Sequence, residues 1–173
     1  MAPVFTRNYQ QKKSVTLSSV ISIRDEGAID LLDSLFKQGV SVRIRVSGRS
    51  MQPFLNGGEI VEIVPLGVRH PRIGDIVLFR DPQGNPLLHR FLWRRLCSEK
   101  LYLQTKGDAC SSCDSPVPID QVFGYVRRII FTNHTVDLQT LRMRLTTYTV
   151  TARTITLLLL QKVNHFLTKQ QLL

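Results

Sequence analysis

Acidic residues are scarce in this chain, 13 against 23 lysines and arginines, and the imbalance leaves a formal charge of +10. A surplus of that size attracts anions, whether nucleic-acid phosphates or the headgroups of an acidic membrane leaflet. The basic residues are scattered, however, and Arg127, Arg128, Arg142, Arg144 and Arg153 lie toward the C-terminal end. Nucleic-acid binding is therefore not expected. Peripheral contact of the C-terminal segment with an anionic membrane stands beside packing of that segment on the domain or on a second copy.

Cysteine is also rare. Three residues, Cys97, Cys110 and Cys113, are too few and of the wrong parity for a disulfide framework. Cys110-Ser111-Ser112-Cys113 has the spacing of half a zinc site, but no second ligand pair accompanies it, so neither a metal nor a cofactor is expected. Long apolar runs are missing as well. The best one, Tyr148 to Leu167, is interrupted by Arg153, Gln161, Lys162, Asn164 and His165, whereas a spanning helix needs about 20 apolar residues. Met1 to Lys13 is polar and basic with no apolar stretch behind it, so no secretory signal is visible and a cytoplasmic location is expected.

What remains is ordinary globular composition, 43% apolar and 21% charged over 173 residues, enough for one domain with a core. The chain divides into three segments. Residues 1–39 hold a polar leader, up to about residue 18, and an amphipathic helix from Arg24 to Lys37. In that helix Ala28, Leu31, Leu32, Leu35 and Phe36 recur at helical spacing, Asp25 and Glu26 stand near the start, and Gly39 follows the end.

Residues 40–130 change texture to short Val- and Ile-rich runs: Ser41–Val46, Glu59–Val64, Ile76–Phe79, Leu87–Trp93, Leu101–Thr105 and Val122–Arg128. Asn56-Gly57-Gly58, the stretch Asp81 to Asn85, and Ser115-Pro116-Val117-Pro118 read as the turns between them. Strands this close in sequence favour a curled antiparallel sheet over βαβ units. Residues 131–173 form a basic extension in which leucines return at mixed helical spacing and a run of threonines weakens the middle; one or two helices are expected there.

The informative stretch begins at Ser47-Gly48-Arg49-Ser50-Met51-Gln52-Pro53. A predicted strand ends in glycine, presents one serine and enters a proline-directed turn. A serine so placed can project into a cleft while its backbone amide, outside any ladder, is free to bind an oxyanion. A serine hydroxyl needs a base, and imidazole titrates near neutrality without the strong desolvation a lysine base requires. Of the four histidines, His70 lies in an Arg-His-Pro turn and His134 and His165 fall late in the chain. Only His89 occupies a predicted strand between the serine and the acidic stretch Gly107-Asp108 to Asp114.

The ordered blocks Ser47 to Glu59, Arg72 to Phe79, Leu87 to Arg90, Thr105 to Asp114 and Val117 to Val126 resemble the type I signal peptidase family across nearly half of the chain. That resemblance implies a mainly β fold, the curled antiparallel sheet of the signal-peptidase and LexA-like type, to which the helical spacing adds an N-terminal helix and a C-terminal helical extension. It implies Ser50 as nucleophile. Where most bacterial members carry lysine as base, this chain has His89, which is similar to the archaeal and endoplasmic-reticulum branch, whose serine and histidine are joined by an aspartate. Asp114, in the Asp-Ser pair, is the first choice for that acid and Asp108 the alternative, the other then tying down the loop.

Several positions depart from the family pattern. Glu59 replaces the usual aspartate, as a turn cap. Gly48 stands where many relatives have a serine that donates to the oxyanion, so the hole would depend on backbone amides, chiefly that of Ser50. Pro116 replaces an arginine after the Asp-Ser pair. Arg49 and Met51, flanking the serine, are candidate substrate contacts. The expected activity is hydrolysis of a leader or precursor peptide after small residues. The same residues also admit a non-catalytic peptide- or partner-binding module on this fold, or a LexA-like self-cleaving regulator.

Overall fold

The computed structural model describes residues 14–15 and 26–170. Of the expected polar leader only Ser14 and Val15 fall within that range, and the expected helix start at Arg24 and Asp25 lies outside the described residues.

The first helix, α1 (Glu26–Lys37), buries Ile29, Leu32 and Phe36 along one face. It ends where Gly39 N–H donates to Phe36 O at 2.9 Å and Val40 N–H to Leu35 O at 3.0 Å, a paired closure that places Gly39 at φ +75°. Glycine suits that position because a β-carbon is strained there.

The sheet is built from β1 (Ser14–Val15), β2 (Ser41–Arg45), β3 (Ile60–Pro65), β4 (Ile76–Arg80), β5 (Pro86–Cys97), β6 (Lys100–Lys106), β7 (Val117–Pro118), β8 (Val122–Ile130) and β9 (Thr135–Asp137). Its order is β1-β2-β3-β8-β4-β5-β6-β7, with β9 paired to β8. Every pairing is antiparallel except β1 with β2. The architecture is thus mainly β, a curled antiparallel half-barrel with a helix near each end.

Two cores follow from the two-residue period of strands. Along β4, Ile76 and Leu78 join Leu32, Phe36, Val42, Ile63 and Val126 beneath α1, while Val77 and Phe79 join Val64, Phe91, Leu103 and Tyr125 on the opposite face. Central strands therefore bury both faces and read as unbroken apolar runs. The β4–β5 reversal falls at Asp81–Asn85, where the Asp81 carboxylate accepts from the amides of Gln83 and Asn85 at 2.9 and 2.7 Å.

The sheet extends beyond the segment 40–130 at both ends, through β1 and β9. Two local readings need correction. Val117-Pro118, expected as a turn, pairs with Tyr102 and Leu103 at the sheet edge, where a proline lacking an N–H is tolerated. Strand β5 runs on to Cys97 as an exposed ribbon with β6, reversing through Ser98 and Glu99, both at positive φ. Nothing in Arg94 to Cys97 marks it as a strand, because a two-stranded ribbon buries neither face.

The C-terminal segment holds one described helix, α2 (Leu141–Gln170), capped at its start by Thr140. Its threonines fit because their hydroxyls bond back to the helix: Thr147 to Arg144 O at 2.9 Å, Thr151 to Thr147 O at 2.7 Å, Thr156 to Ala152 O at 3.0 Å. Thr147 and Thr151 are buried, and the helix passes Gly74 at that level. No helix among the described residues is long and apolar enough to cross a membrane.

The tightest strand crossing gives a stability test. A β-carbon at Gly124 would overlap the Val64 carbonyl oxygen and stand 3.0 Å from Ile63 Cγ2, inside the β3–β8 pairing. Gly124→Ala is expected to lower the unfolding free energy by about 1–3 kcal/mol, measured as a reduced urea midpoint with an unchanged slope.

Candidate active site

Ser50 follows β2 in a turn outside every strand ladder. Met51, 3% exposed, and Leu55, 1% exposed, pin the segment into the core beneath α1, and Leu55 N–H closes on Met51 O at 2.9 Å. The loop is tied at its base by Val46 and Gly58, and the Glu59 carboxylate accepts from the amides of Asn56 and Gly57, each at 2.8 Å. Glu59 thus caps the turn, as the sequence suggests. The serine is presented on a segment anchored on both sides.

His89 is fixed by β5. Its register partner on β4 is Val77, its side chain is buried, and Phe79 meets its ring edge-on at 6.1 Å between centroids. The two ring nitrogens face two different groups. Nδ1 lies 2.8 Å from Asp114 Oδ2 and Nε2 lies 3.0 Å from Ser50 Oγ. An ionised carboxylate only accepts, so Nδ1 carries a proton, and in the neutral ring Nε2 then presents its lone pair to the serine hydroxyl.

Asp114 is itself held from three sides. Its amide donates to Thr105 O at 3.0 Å, the Thr105 hydroxyl donates to Oδ2 at 2.7 Å, and Gln104 Nε2 donates to its carbonyl at 2.6 Å. Burial works to raise the Asp114 pKa. The hydrogen bond and charge attraction of His89, the Thr105 hydroxyl and nearby Lys106 together outweigh it and hold the carboxyl below its ordinary range. The acid is therefore ionised wherever the histidine is to be oriented.

Asp108, the alternative acid, is engaged elsewhere. Both its oxygens are bonded by Arg90, from Nε at 2.8 Å and Nη2 at 2.6 Å. Arg90 has no exposed surface; it also donates from Nη1 to Gly74 O at 2.8 Å, and its guanidinium lies 4.7 Å from the Phe54 ring centre. Asp108 therefore holds the loop, and the geometry leaves it no part in orienting His89. Arg90, Thr105 and Gln104 went unassigned in the sequence. The signals were their places beside His89 and at the head of the acidic block, yet nothing in those places distinguishes a strut from a surface residue.

The remaining candidates divide. Gly48 and Met51 line a cavity of about 70 Å3 beside Ser50, together with Ile44, Leu78 and Leu88. Arg49 is exposed and is not part of that lining. Cys110 and Cys113 are free thiols, and burial pushes the Cys113 thiol above its ordinary pKa.

Gly107 makes the assembly compact. A β-carbon there would stand 2.6 Å from Cys110 Sγ, 2.7 Å from Ser50 O and 3.0 Å from His89 Nε2. The Ser50 carbonyl that meets this glycine also accepts from Ala109 N–H at 2.8 Å. What this arrangement can do chemically is move a proton from a serine hydroxyl to a neutral imidazole whose charge, once formed, is met by Asp114.

Two measurements check these contacts. Gly107→Ala is expected to separate Ser50 from His89, seen as an altered His89 ring resonance in NMR while the fold persists. Because the Asp114 pKa is depressed in the folded protein, its carboxylate stabilises the fold fully above the ordinary carboxylate range, about 4. That contribution is lost as pH falls through that range to the lowered folded value. The stability deficit of Asp114→Asn relative to the parent should therefore be largest near neutrality and shrink on acidification, compared by urea unfolding.

No protein-family model matches this chain, and neither does any curated protein or solved structure.

Proposed function

We propose that this protein is a serine endopeptidase of the signal-peptidase type that cuts a leader or precursor peptide after small residues. The observation that carries this reading is the relay in which Ser50 Oγ lies 3.0 Å from His89 Nε2 while Nδ1 lies 2.8 Å from Asp114. A serine oxygen within reach of an imidazole that an acid orients supports a reading of acyl transfer. The block order from Ser47 to Val126 supports the family assignment, with histidine in place of the lysine base.

In the proposed reaction Ser50 Oγ attacks the scissile carbonyl carbon as His89 Nε2 takes the hydroxyl proton. The oxyanion is held by the Ser50 amide, and Asp114 stabilises the imidazolium. Collapse of the intermediate breaks the C–N bond, and the proton on Nε2 passes to the leaving amine. Water, deprotonated by the same nitrogen, then attacks the acyl ester and releases the upstream fragment, returning the proton to Ser50.

The cavity beside Ser50 supports the preference for small residues. At about 70 Å3 it falls far below the roughly 300 Å3 at which sites for larger ligands begin, and the part of its wall formed by Ile44, Leu78 and Leu88 suits a methyl-sized side chain. A peptide-binding module would need the cavity alone; it gives no reason for a buried histidine bonded to an acid on one side and a serine on the other.

Ser50→Ala or His89→Ala should lower kcat for an alanine-containing internally quenched peptide by at least about 10⁴-fold. A fluorophosphonate probe should label Ser50 in the parent and not in His89→Ala. Cleavage at the parental rate by both variants would sink the mechanism. A parent that binds peptide but neither cuts it nor reacts with the probe would be a binding module.

A further inference from the structure

A second cleft, about 500 Å3, lies between the loop Gly107 to Asp114 and the middle of α2. The chemistry proposed above makes no use of it. Cys110 and Phe54 form part of one wall, and Val150, Arg153 and Leu157 part of the other. It shares no lining residue with the small cavity at Ser50. Its volume lies within the range of about 300–1,000 Å3 typical of ligand sites, room for a few residues of extended peptide.

The cleft begins next to the reacting atoms. Cys110 Sγ and His89 Nε2 converge on the same face of Gly107, 2.6 and 3.0 Å from the point where its β-carbon would stand. His89 Nε2 is the nitrogen that hands its proton to the leaving amine, so the chain on the amine side of the cut must start beside it. The small cavity, lined by Ser50 and Met51, takes the acyl side. The downstream residues then run past Cys110 toward α2.

The charge around the cleft is one-sided. The one carboxylate in its lining, Asp108, is bonded through both oxygens to Arg90. Lys106 Nζ donates to Gly107 O at 3.1 Å, and Arg153 enters no ion pair among the described residues. Helix α2 carries arginines and lysines and no acidic residue along its length. A positively charged, partly enclosed groove with leucine in its wall attracts carboxylates flanking an apolar side chain.

We infer that this cleft is the binding site for the substrate segment downstream of the cut, selecting one in which acidic residues flank an apolar one, with Arg153 as the residue that reads the acid. The inference rests on the endopeptidase reading and adds a specificity to it.

The test uses two internally quenched peptides with the same alanine-containing upstream half, one continuing Asp-Leu-Asp and the other Lys-Leu-Lys. The full-length parent should cut the acidic peptide with a kcat/KM roughly fivefold higher, the upper reach of an exposed charge pair, and Arg153→Glu should reverse the order. Arg153 is exposed, so the variant is expected to fold. Binding of the two downstream fragments to Ser50→Ala protein, by fluorescence anisotropy, should show the same preference without any turnover. Equal kcat/KM for both peptides, or a preference unchanged in Arg153→Glu, overturns the cleft assignment and leaves the peptidase reading standing. Failure to cut either peptide counts against the peptidase reading instead, and the cleft is then judged by anisotropy alone. There, preference for the acidic fragment lost in Ser50→Ala/Arg153→Glu supports it, and equal binding overturns it.

Discussion

The buried contact between Arg90 and Asp108 is the constraint on which the site depends. Arg90 is the neighbour of His89 on β5, so its side chain leaves the strand on the face opposite the imidazole. From there it reaches Asp108 on the loop after β6, the Gly74 carbonyl before β4, and the ring of Phe54 beyond the serine turn. One guanidinium thus ties together the segments that carry Ser50, His89 and Asp114. Buried ion pairs are weak evidence for stability, since removing two charges from water costs about what their attraction returns. The five donors of a planar guanidinium, each with a fixed direction, are strong evidence for geometry.

The two aspartates of this loop divide the work that the sequence leaves open. Asp108 is almost fully buried and paired through both oxygens with Arg90, which suits a strut. Asp114 keeps 19% of its side chain exposed and faces an imidazole whose charge changes during the proposed reaction. Its carboxylate is held by the Thr105 hydroxyl and its backbone by Gln104, so it can meet a new positive charge without moving. Preorganisation of that kind is what lets an acid stabilise imidazolium without taking its proton.

Much of the fold was legible because its physics is local. The central strands bury both faces, so their apolar runs stand out, and α1 shows its helical period because one face packs on the sheet. Elements that rely on partners rather than on their own pattern were not legible. Val117-Pro118 is a strand only because β6 offers it an edge, and Thr135–Asp137 only because β8 does. The single long α2 was obscured by threonines whose hydroxyls turn out to bond back to the helix. In the site, Ser50 and His89 could be named from a turn and a strand position. The choice between Asp114 and Asp108 needed the β5–β6 register, which pairs Phe91 with Thr105 and Arg90 with Lys106 and brings Thr105, not Asp108, beside the imidazole and its acid. Five residues of loop separate the two acids, and no periodicity runs through a loop.

Helix α2 is held to the domain in an uneven way. Its buried contacts lie in the first half, at Thr147 and Thr151 beside Gly74, while Leu157, Leu159, Leu160 and Val163 remain 50–59% exposed. Four successive leucines, 157 to 160, point in four directions around a helix of 3.6 residues per turn, so they cannot all face the loop Gly107 to Asp114. A fully buried leucine is worth about 1.5–3 kcal/mol, and most of that stabilisation is missing here. The wall that α2 offers to the cleft is therefore secured at one end and short of apolar contact at the other. Under the proposed downstream binding, a peptide side chain between Leu157 and Cys110 would supply contact that the folded chain lacks, so occupying the cleft and seating the helix would stabilise each other.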